Sequence, residues 1–391
     1  MGSEVPFDAP EVERYWQTVS GLHPFAVRRR VLHVVGDGQE GIARYVKDAS
    51  TFQSQGGWDV HVAAVETEGF GERCQVHHWG DAADGALVGR TKGLQHIVEA
   101  VEPEVVVLHG SKSGRLGRLT LRGRIPTVYI PHVWSFLSLS PAMAVGAVRW
   151  ERRAARWTNL IVAVSEAQVS ATVRREIHAP LAMVHNPVPV GWSLADDGER
   201  AAARLRLGLG PEPLAVSVGR LTRQKGHDQL LSAWPTIRAE VPTAQLVVVG
   251  DGPLRRPLAA SAPSGVSFVG AVADPRDWVA AADVIVLPSR WEGMSLAMLE
   301  AMAAGRSVVI NAVAGSEVVA KAEAGAVVPV GNASELAGAV AARLADRRGN
   351  DREGSRGAAY VAKYNDRVGC FLRLSAYLSR AHVFGTPAVR G

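Results

Sequence analysis

Two glutamates, Glu292 and Glu300, stand with seven residues between them in the stretch PSRWEGMSLAMLEAMAAG (Pro288–Gly305). The stretch follows an apolar run, VIVL (Val284–Leu287), that reads as a buried strand. A glycine-containing turn and a helix over about Ser295–Ala304 come next. A helix start offers unpaired backbone N–H groups and a partial positive charge, a natural seat for a diphosphate. Glu292 falls on one side of that seat, and Glu300 roughly 7–8 Å along the helix axis on the other. A nucleotide-sugar has this layout. One carboxylate would accept from sugar hydroxyls and the other from both hydroxyls of a ribose. The same residues also fit plainer roles: a glutamate before a helix is often a dipole partner, and one inside it a solvated face.

Other residues supply complementary chemistry. In GRLTRQKG, Arg220 and Lys225 follow a strand and bracket a short loop. Two cations there would neutralise a diphosphate without a metal and stabilise charge on a leaving nucleotide; taken alone they are equally two surface cations. His132 follows a strand end and precedes an aromatic loop, where it either faces a cleft or is a satisfied structural histidine. Gly36, Gly38 and Gly41 spell GxGxxG, which brings backbone close to a ligand, but no acidic residue caps a second strand about 20 residues on, which argues against a nicotinamide enzyme. AVSEA around Ser165 lacks the glycines of a nucleophile elbow. Neither GRLTRQKG nor GSKSGRLG is a phosphate-binding P-loop. The pairs Asp81/Asp84 and Asp196/Asp197, and His77 with His78, lack metal-ligand spacing and read as loop and surface residues, so no metal site is expected.

The elements that must position these residues alternate along the chain. Strands are expected at Arg30–Val35, Trp58–Val65, Glu104–Leu108, Ile125–Ile130, Leu160–Val164 and Leu181–Val184, with helices between them and loop over 68–86. Ser165 is a plausible N-cap for a helix over Glu166–Ile177. Residues 185–200, HNPVPVGWSLADDGER, read as a linker. A second series starts at Pro213, with strands at LAVSV, Gln245–Val249, Val266–Val269, Val284–Leu287, Ser307–Ile310 and Ala326–Val328 and a helix over His227–Glu240. Such alternation implies an α/β chain with two parallel, doubly wound sheets, which bind ligands outside the carboxyl ends of their strands. Residues 1–27 form an irregular lead-in with an amphipathic turn around Val12–Val19, and Asp366–His382 an amphipathic tail helix.

Composition agrees. The 391 residues are enough for two cores, and 47% hydrophobic with 21% charged is ordinary for a soluble α/β protein. No apolar run approaches a transmembrane span, and the acidic start is not a secretory signal, so a cytoplasmic location is expected. Cys74 and Cys370 are far apart and read as unpaired thiols. The net charge is +5, with basic residues clustered between Arg115 and Arg175.

Taken in order over Val216–Gly315, GRLTRQKG, VVVGDGP, SFVG and ADVIVLPSRWEGMSLAMLEAMAAG resemble the C-terminal domain of the retaining family 4 glycosyltransferases. VVLHGSKSGRLGRL followed by PTVYIPHVWSF resembles the bacterial exopolysaccharide and natural-product branch of that family. The resemblance implies the GT-B fold, two Rossmann-like domains facing a cleft. The expected division is an acceptor-binding domain over 1–187, rejoined by a crossover helix in 366–391, and a nucleotide-sugar domain over 188–365. It implies that Arg220 and Lys225 hold the donor diphosphate and Glu300 the ribose. Glu292 and the backbone N–H groups of Gly293, Met294, Ser295 and Leu296 would hold the sugar, Gly41 would approach the donor, and His132 would touch the transferred sugar. His132, Arg220, Lys225 and Glu292 are thus the expected catalytic set. The implied reaction is a hexosyl transfer (EC 2.4) with retention, needing no cofactor and no metal, with a UDP-sugar favoured.

Departures bear on specificity. The usual Gly-Gly of the first loop is Glu40-Gly41 here, EGFGLP is EGMSLA, and His132 is followed by Val133. Glu40, His132 and Trp134 are candidate acceptor contacts, and the charge of Glu40 favours a cationic acceptor such as an amino sugar of the aminoglycoside type, in antibiotic biosynthesis. Two alternatives stay open. One is a membrane-associated enzyme building a lipid-linked polysaccharide precursor, its Arg149, Arg152, Arg153 and Arg156 with Trp150 and Trp157 pressed on anionic lipid at the inner membrane face. The other is a catalytically silent nucleotide-sugar-binding or scaffold protein. A phosphorylase or epimerase fits less well, and no nucleic-acid partner is expected.

Overall fold

The structure, a computed structural model, describes residues 29–36, 40–70, 74–79 and 87–384. Two sheets carry the chain. The first has seven strands: β1 (Arg30–Val35), β2 (Asp59–Ala64), β3 (Gln75–His78), β4 (Val105–His109), β5 (Thr127–Ile130), β6 (Leu160–Ala163) and β7 (Leu181–Met183), in the order β3-β2-β1-β4-β5-β6-β7. The second has six: β8 (Leu214–Val218), β9 (Gln245–Val249), β10 (Val266–Gly270), β11 (Val284–Leu287), β12 (Ser307–Asn311) and β13 (Gly325–Val328), in the order β10-β9-β8-β11-β12-β13. Every strand pair is parallel. Parallel sheets are covered on both faces, which is why β4 and β11 read as unbroken apolar runs and are buried throughout. The strand order reverses between β1 and β4 in one sheet and between β8 and β11 in the other, and the crevice above such a reversal is where ligands bind.

The helices that frame those crevices are α1 (Glu40–Gln55) after β1, α2 (Leu87–Val101), α3 (Gly110–Leu121) after β4, α4 (Pro141–Ala154) and α5 (Glu166–Arg174). Ser165 caps α5 as expected, its side chain accepting from the backbone N–H of Gln168. In the second half come α6 (Asp197–Arg206), α7 (His227–Glu240), α8 (Arg255–Ala260), α9 (Arg276–Ala281), α10 (Leu296–Ala303), α11 (Glu317–Lys321), α12 (Ala333–Ala345), α13 (Arg347–Tyr364) and α14 (Arg367–Ser379). The last of these returns to the first sheet: Phe371 packs 5.6 Å from Tyr45 and 5.7 Å from Phe52, both on α1. Asn365 ties the outgoing and returning chain together, donating to Asn186 O at 2.8 Å and accepting from Val188 N at 2.9 Å.

Three expectations need correction. Residues 75–78 are not loop but the edge strand β3, paired in parallel with β2. His77 there is not simply a surface side chain: its Nε2 lies 2.9 Å from His61 Nδ1 and the rings stack. An edge strand is polar because one side meets water, which hid it from a search for apolar runs. The segment read as linker ends in α6, nucleated by Asp196, whose carboxylate caps Glu199 N at 2.8 Å. Helix α13 was not foreseen, because RRGNDREGSR is polar and glycine-bearing. Its Gly354 crosses the chain at Gly305 so closely that a Cβ would stand 1.9 Å from Gly305 O, so glycine there is a packing requirement. The lead-in over 1–27, Gly38, Asp81, Asp84 and the side chain of Glu40 lie outside the described residues. Cys74 and Cys370 are both free thiols, as expected.

Candidate active site

Strand β11 ends at Leu287, and the chain then turns through Pro288–Met294 before Ser295, whose hydroxyl caps α10 by accepting from Met298 N. Glu292 is buried in this turn. Ser289 Oγ donates to its Oε1 at 2.8 Å, Lys225 Nζ reaches the same oxygen at 2.6 Å, and Gln224 Nε2 lies 3.4 Å from Oε2. Lys225 arrives because the loop after β8 closes through Gly226 at φ +67°, where a Cβ would stand 2.1 Å from Pro288 O. Only glycine lets the two loops meet so closely. Arg220 is exposed at the carboxyl end of β8. The two loops therefore place cations, a carboxylate and the amides of a helix start at one crevice.

Glu300 lies one turn into α10 and is 4% exposed. Its partner comes from the other sheet: Arg44 of α1 sets Nη1 2.5 Å from Glu300 Oε1. Burial raises the Glu300 carboxyl above its ordinary range, against the opposing pull of Arg44 and Lys225. The expected ribose acceptor is thus held by a residue that sequence reasoning missed. Arg44 lies on the same expected helix as Gly41, and its position one turn past that approach residue was the available signal.

The two halves meet at the turn itself. Gly293 lies against His132, and a Cβ on it would stand 1.4 Å from His132 O. Asn186 Nδ2 donates to Met294 O at 3.0 Å. Leu296 Cδ1 lies 4.0 Å from where a Cβ of Gly41 would be, so the first loop of the N-terminal sheet touches the start of α10.

His132 follows β5 and is buried, with φ +54°. A non-glycine residue in that region is strained, and such strain clusters at functional sites. Gln168 Nε2 fixes its carbonyl at 2.6 Å, and Tyr45 sets a ring edge-on at 4.9 Å between centroids. Behind it stand two histidines unforeseen from sequence. His109 Nδ1 is 3.1 Å from His132 Nε2, and His33 Nδ1 is 2.9 Å from His109 Nε2. Burial holds His132 down at about 3 and His33 at about 4, and His109 well below its ordinary value, so all three rings are neutral near pH 7. Each lies at or near the end of an apolar strand, in VLHVV, VVLHG and VYIPH, which was the available sequence signal.

Trp134 is corrected. It is 0% exposed, stacks on Phe136 at 5.3 Å and meets Tyr129 edge-on at 5.8 Å, so it belongs to the core of the first half and presents no surface to an acceptor. Among the described residues, no group of three or more His, Cys, Asp or Glu is placed to hold a metal ion.

Two facing doubly wound sheets with a carboxylate-and-cation turn between them define a GT-B protein. Residues 40–192 match the family described as Glycosyltransferase Family 4, and residues 212–346 that described as Glycosyl transferases group 1. The chain is 31% identical over 295 residues to a D-inositol 3-phosphate glycosyltransferase of Jonesia denitrificans, covering 67% of this chain and 69% of that one. It is 37% identical over 179 residues to a GDP-mannose-dependent phosphatidylinositol monomannoside mannosyltransferase of Mycobacterium tuberculosis, where it spans 46% of the relative's length and 42% of its own. The fold matches that of a sucrose-phosphate synthase of Thermosynechococcus elongatus (TM-score 0.79, 20% identity, 92% of this chain and 100% of that one). It matches equally that of Anabaena HepE in complex with UDP-glucose (TM-score 0.77, 20% identity, 90% of this chain and 100% of that one). The chain belongs to the family 4 glycosyltransferases.

Proposed function

We propose that the protein transfers a hexosyl group from a nucleoside diphosphate sugar to a hydroxyl of a small acceptor, with retention and without a metal. The observation that carries this is the Lys225–Glu292 pair at the start of α10, closed by His132 from the other sheet. In the reaction the bond from the anomeric carbon to the leaving phosphate oxygen breaks on the face where the acceptor oxygen bonds. The acceptor proton passes to that phosphate oxygen. Arg220, Lys225 and the N–H groups of Gly293–Leu296 stabilise the charge on the departing diphosphate. Glu292 holds sugar hydroxyls, Glu300 the ribose once Arg44 is displaced, and His132 the sugar near the acceptor. In this reading residues 1–187 with 366–391 serve the acceptor and 188–365 the donor, in the cytoplasm.

A UDP-sugar is the favoured donor. GDP-mannose, named for the mycobacterial relatives, is the rival. An amino-sugar acceptor fits the charge of Glu40; an alpha-D-kanosaminyltransferase of Streptomyces kanamyceticus, 27% identical over 260 residues, is named for an amino sugar as the group it transfers. Thermal-shift screening against UDP, GDP, dTDP and their sugar conjugates tests the donor, since a ligand at 100 times its Kd stabilises by roughly 2.7 kcal/mol. One nucleotide raising the melting point, with the rise lost in Arg220→Ala, supports the reading. Binding without turnover for any acceptor would favour the silent scaffold, and no binding would remove the donor site.

A lipid-linked acceptor at a membrane is the second reading. Helix α4 exposes Met143 and Val145, at 61% and 52%, next to Arg149, Arg152 and Arg153. The indoles expected to press on lipid are instead half-buried, Trp150 under Arg115 and Arg118 and Trp157 under Arg156. Among the described residues no helix is long and apolar enough to cross a membrane. Co-sedimentation with anionic vesicles, lost in Met143→Ser with Val145→Ser, separates the readings.

A further inference from the structure

Four side chains form a single buried row: Gln53 of α1, His33 of β1, His109 of β4 and His132 after β5. Gln53, His33 and His109 are 0% exposed and His132 is 6% exposed. The contacts are Gln53 Oε1 to His33 Nε2 at 2.8 Å, His33 Nδ1 to His109 Nε2 at 2.9 Å, and His109 Nδ1 to His132 Nε2 at 3.1 Å. The rings stack with centroids 5.2 Å and 5.4 Å apart and planes within 28° and 27°. The sheet builds the row. β4 lies between β1 and β5, with Val35 opposite His109 and His109 opposite Ile130, so His33 and His109 fall on adjacent strands and His132 just past the end of the next, at one end of the sheet.

We infer that Gln53 is a positioning residue that sets the tautomer of His132 through His109 and His33. A neutral imidazole has one N–H and one bare nitrogen, so each contact in the row admits one donor. An amide oxygen only accepts. His33 must therefore carry its proton on Nε2, which leaves Nδ1 bare. His109 must then donate from Nε2, leaving its own Nδ1 bare, and His132 must donate from Nε2. The ring nitrogen left outside the row, His132 Nδ1, is fixed as an acceptor, the form that takes a hydrogen bond from a sugar hydroxyl. Because the row is buried and burial holds its rings neutral, protonation does not scramble the order near pH 7. Three hydrogen bonds carry the direction of one amide from α1 to the crevice.

The consequence for catalysis rests on the reading of His132 as a sugar contact, but the tautomer does not. It is read on the protein without substrate, so the two ideas fail separately. Long-range proton–nitrogen correlation spectra of protein labelled with nitrogen-15 in histidine, at pH 7, with His33→Gln, His109→Gln and His132→Gln variants to assign the signals, distinguish the tautomers directly. All three rings are expected as Nε2–H, each with a bare Nδ1. In Gln53→Leu, which removes the acceptor that starts the row, His132 should show mixed tautomers. In Gln53→Glu, whose carboxylate also only accepts, the Nε2–H form should return. An Nδ1–H signal for His132 in the unaltered protein would mean the amide is turned the other way and would overturn the inference. An unchanged Nε2–H signal in folded Gln53→Leu would overturn it as well. If Gln53→Leu does not fold, the spectrum of the unaltered protein and the Gln53→Glu comparison still decide.

Discussion

Gly293 and His132 meet backbone to backbone across the two halves of the protein, so closely that a Cβ on the glycine would overlap the histidine's carbonyl oxygen at 1.4 Å. The contact joins the turn that carries Glu292 to the loop that carries His132, and it sets how far the crevice between them can close. Gly293→Ala must push the two loops apart. Overpacking of this kind costs about 1–3 kcal/mol where it cannot relax. The expected result is donor binding at least about tenfold weaker by calorimetry. Donor binding equal to the unaltered protein would show that the close contact is not part of the working state.

The Arg44–Glu300 pair joins α1 to α10 across the same crevice. Arg44→Ala is expected to raise the Glu300 carboxyl further, since Arg44 is the largest influence opposing burial. The ribose would then meet Glu300 with no pair to displace. Nucleotide affinity should therefore rise or hold at pH 7, and fall more steeply on acidification than in the unaltered protein. A tenfold loss of affinity at pH 7 would instead make Arg44 a direct ligand contact.

Lys225 lies 2.6 Å from Glu292 and is the cation nearest that carboxylate. On the proposed reading Lys225→Ala removes a charge-assisted bond worth about 1.5–3 kcal/mol to the donor diphosphate, so UDP or GDP should bind roughly tenfold to a hundredfold more weakly. Glu292→Gln keeps the shape of the turn and should spare nucleotide binding while lowering affinity for the sugar conjugate. Equal losses for nucleotide and conjugate in Glu292→Gln would remove its role at the sugar.

The buried histidines make folding stability depend on pH in a fixed direction. His33 titrates at about 4 and His132 at about 3 when folded, held down by burial, against about 6.5 when unfolded. The unfolded chain therefore binds more protons between those values, and each ring contributes stability that is present above about pH 6.5 and lost as pH falls toward its folded value. The slope is about 1.4 kcal/mol per pH unit for each ring. Glu300, raised by burial, acts with the opposite sign: it favours folding below its unfolded value and loses that contribution as pH rises through its folded one. Urea denaturation at pH 7, 6 and 5 should show a steep fall that is shallower in His33→Leu. A flat profile over that range would mean the rings are hydrated.

Much of the fold follows from local pattern. The strands Gln245–Val249 and Val284–Leu287 and the helix His227–Glu240 fall where the sequence places them, because strand and helix periods are set by residues a few positions apart. The spacing of Glu292 and Glu300 is likewise local, since both belong to one turn and one helix. Edge strand β3 and the polar helix α13 escaped because neither shows a strong apolar pattern: one is open to water on a side, and the other owes its place to a glycine crossing.

By itself, then, the sequence determined the alternation of strands and helices, the two-sheet architecture and the turn with its carboxylates and cations. The tertiary structure alone decided what those groups face. Glu300 takes Arg44 from 256 residues away, His33 takes His109 from 76 residues away, and Trp134, an aromatic in a loop of the right place, turns into the core. Nothing local distinguishes a loop tryptophan that faces a ligand from one that fills a core. Only packing excludes water from one side of the chain, and that exclusion decides which polar groups must find each other and which rings are buried.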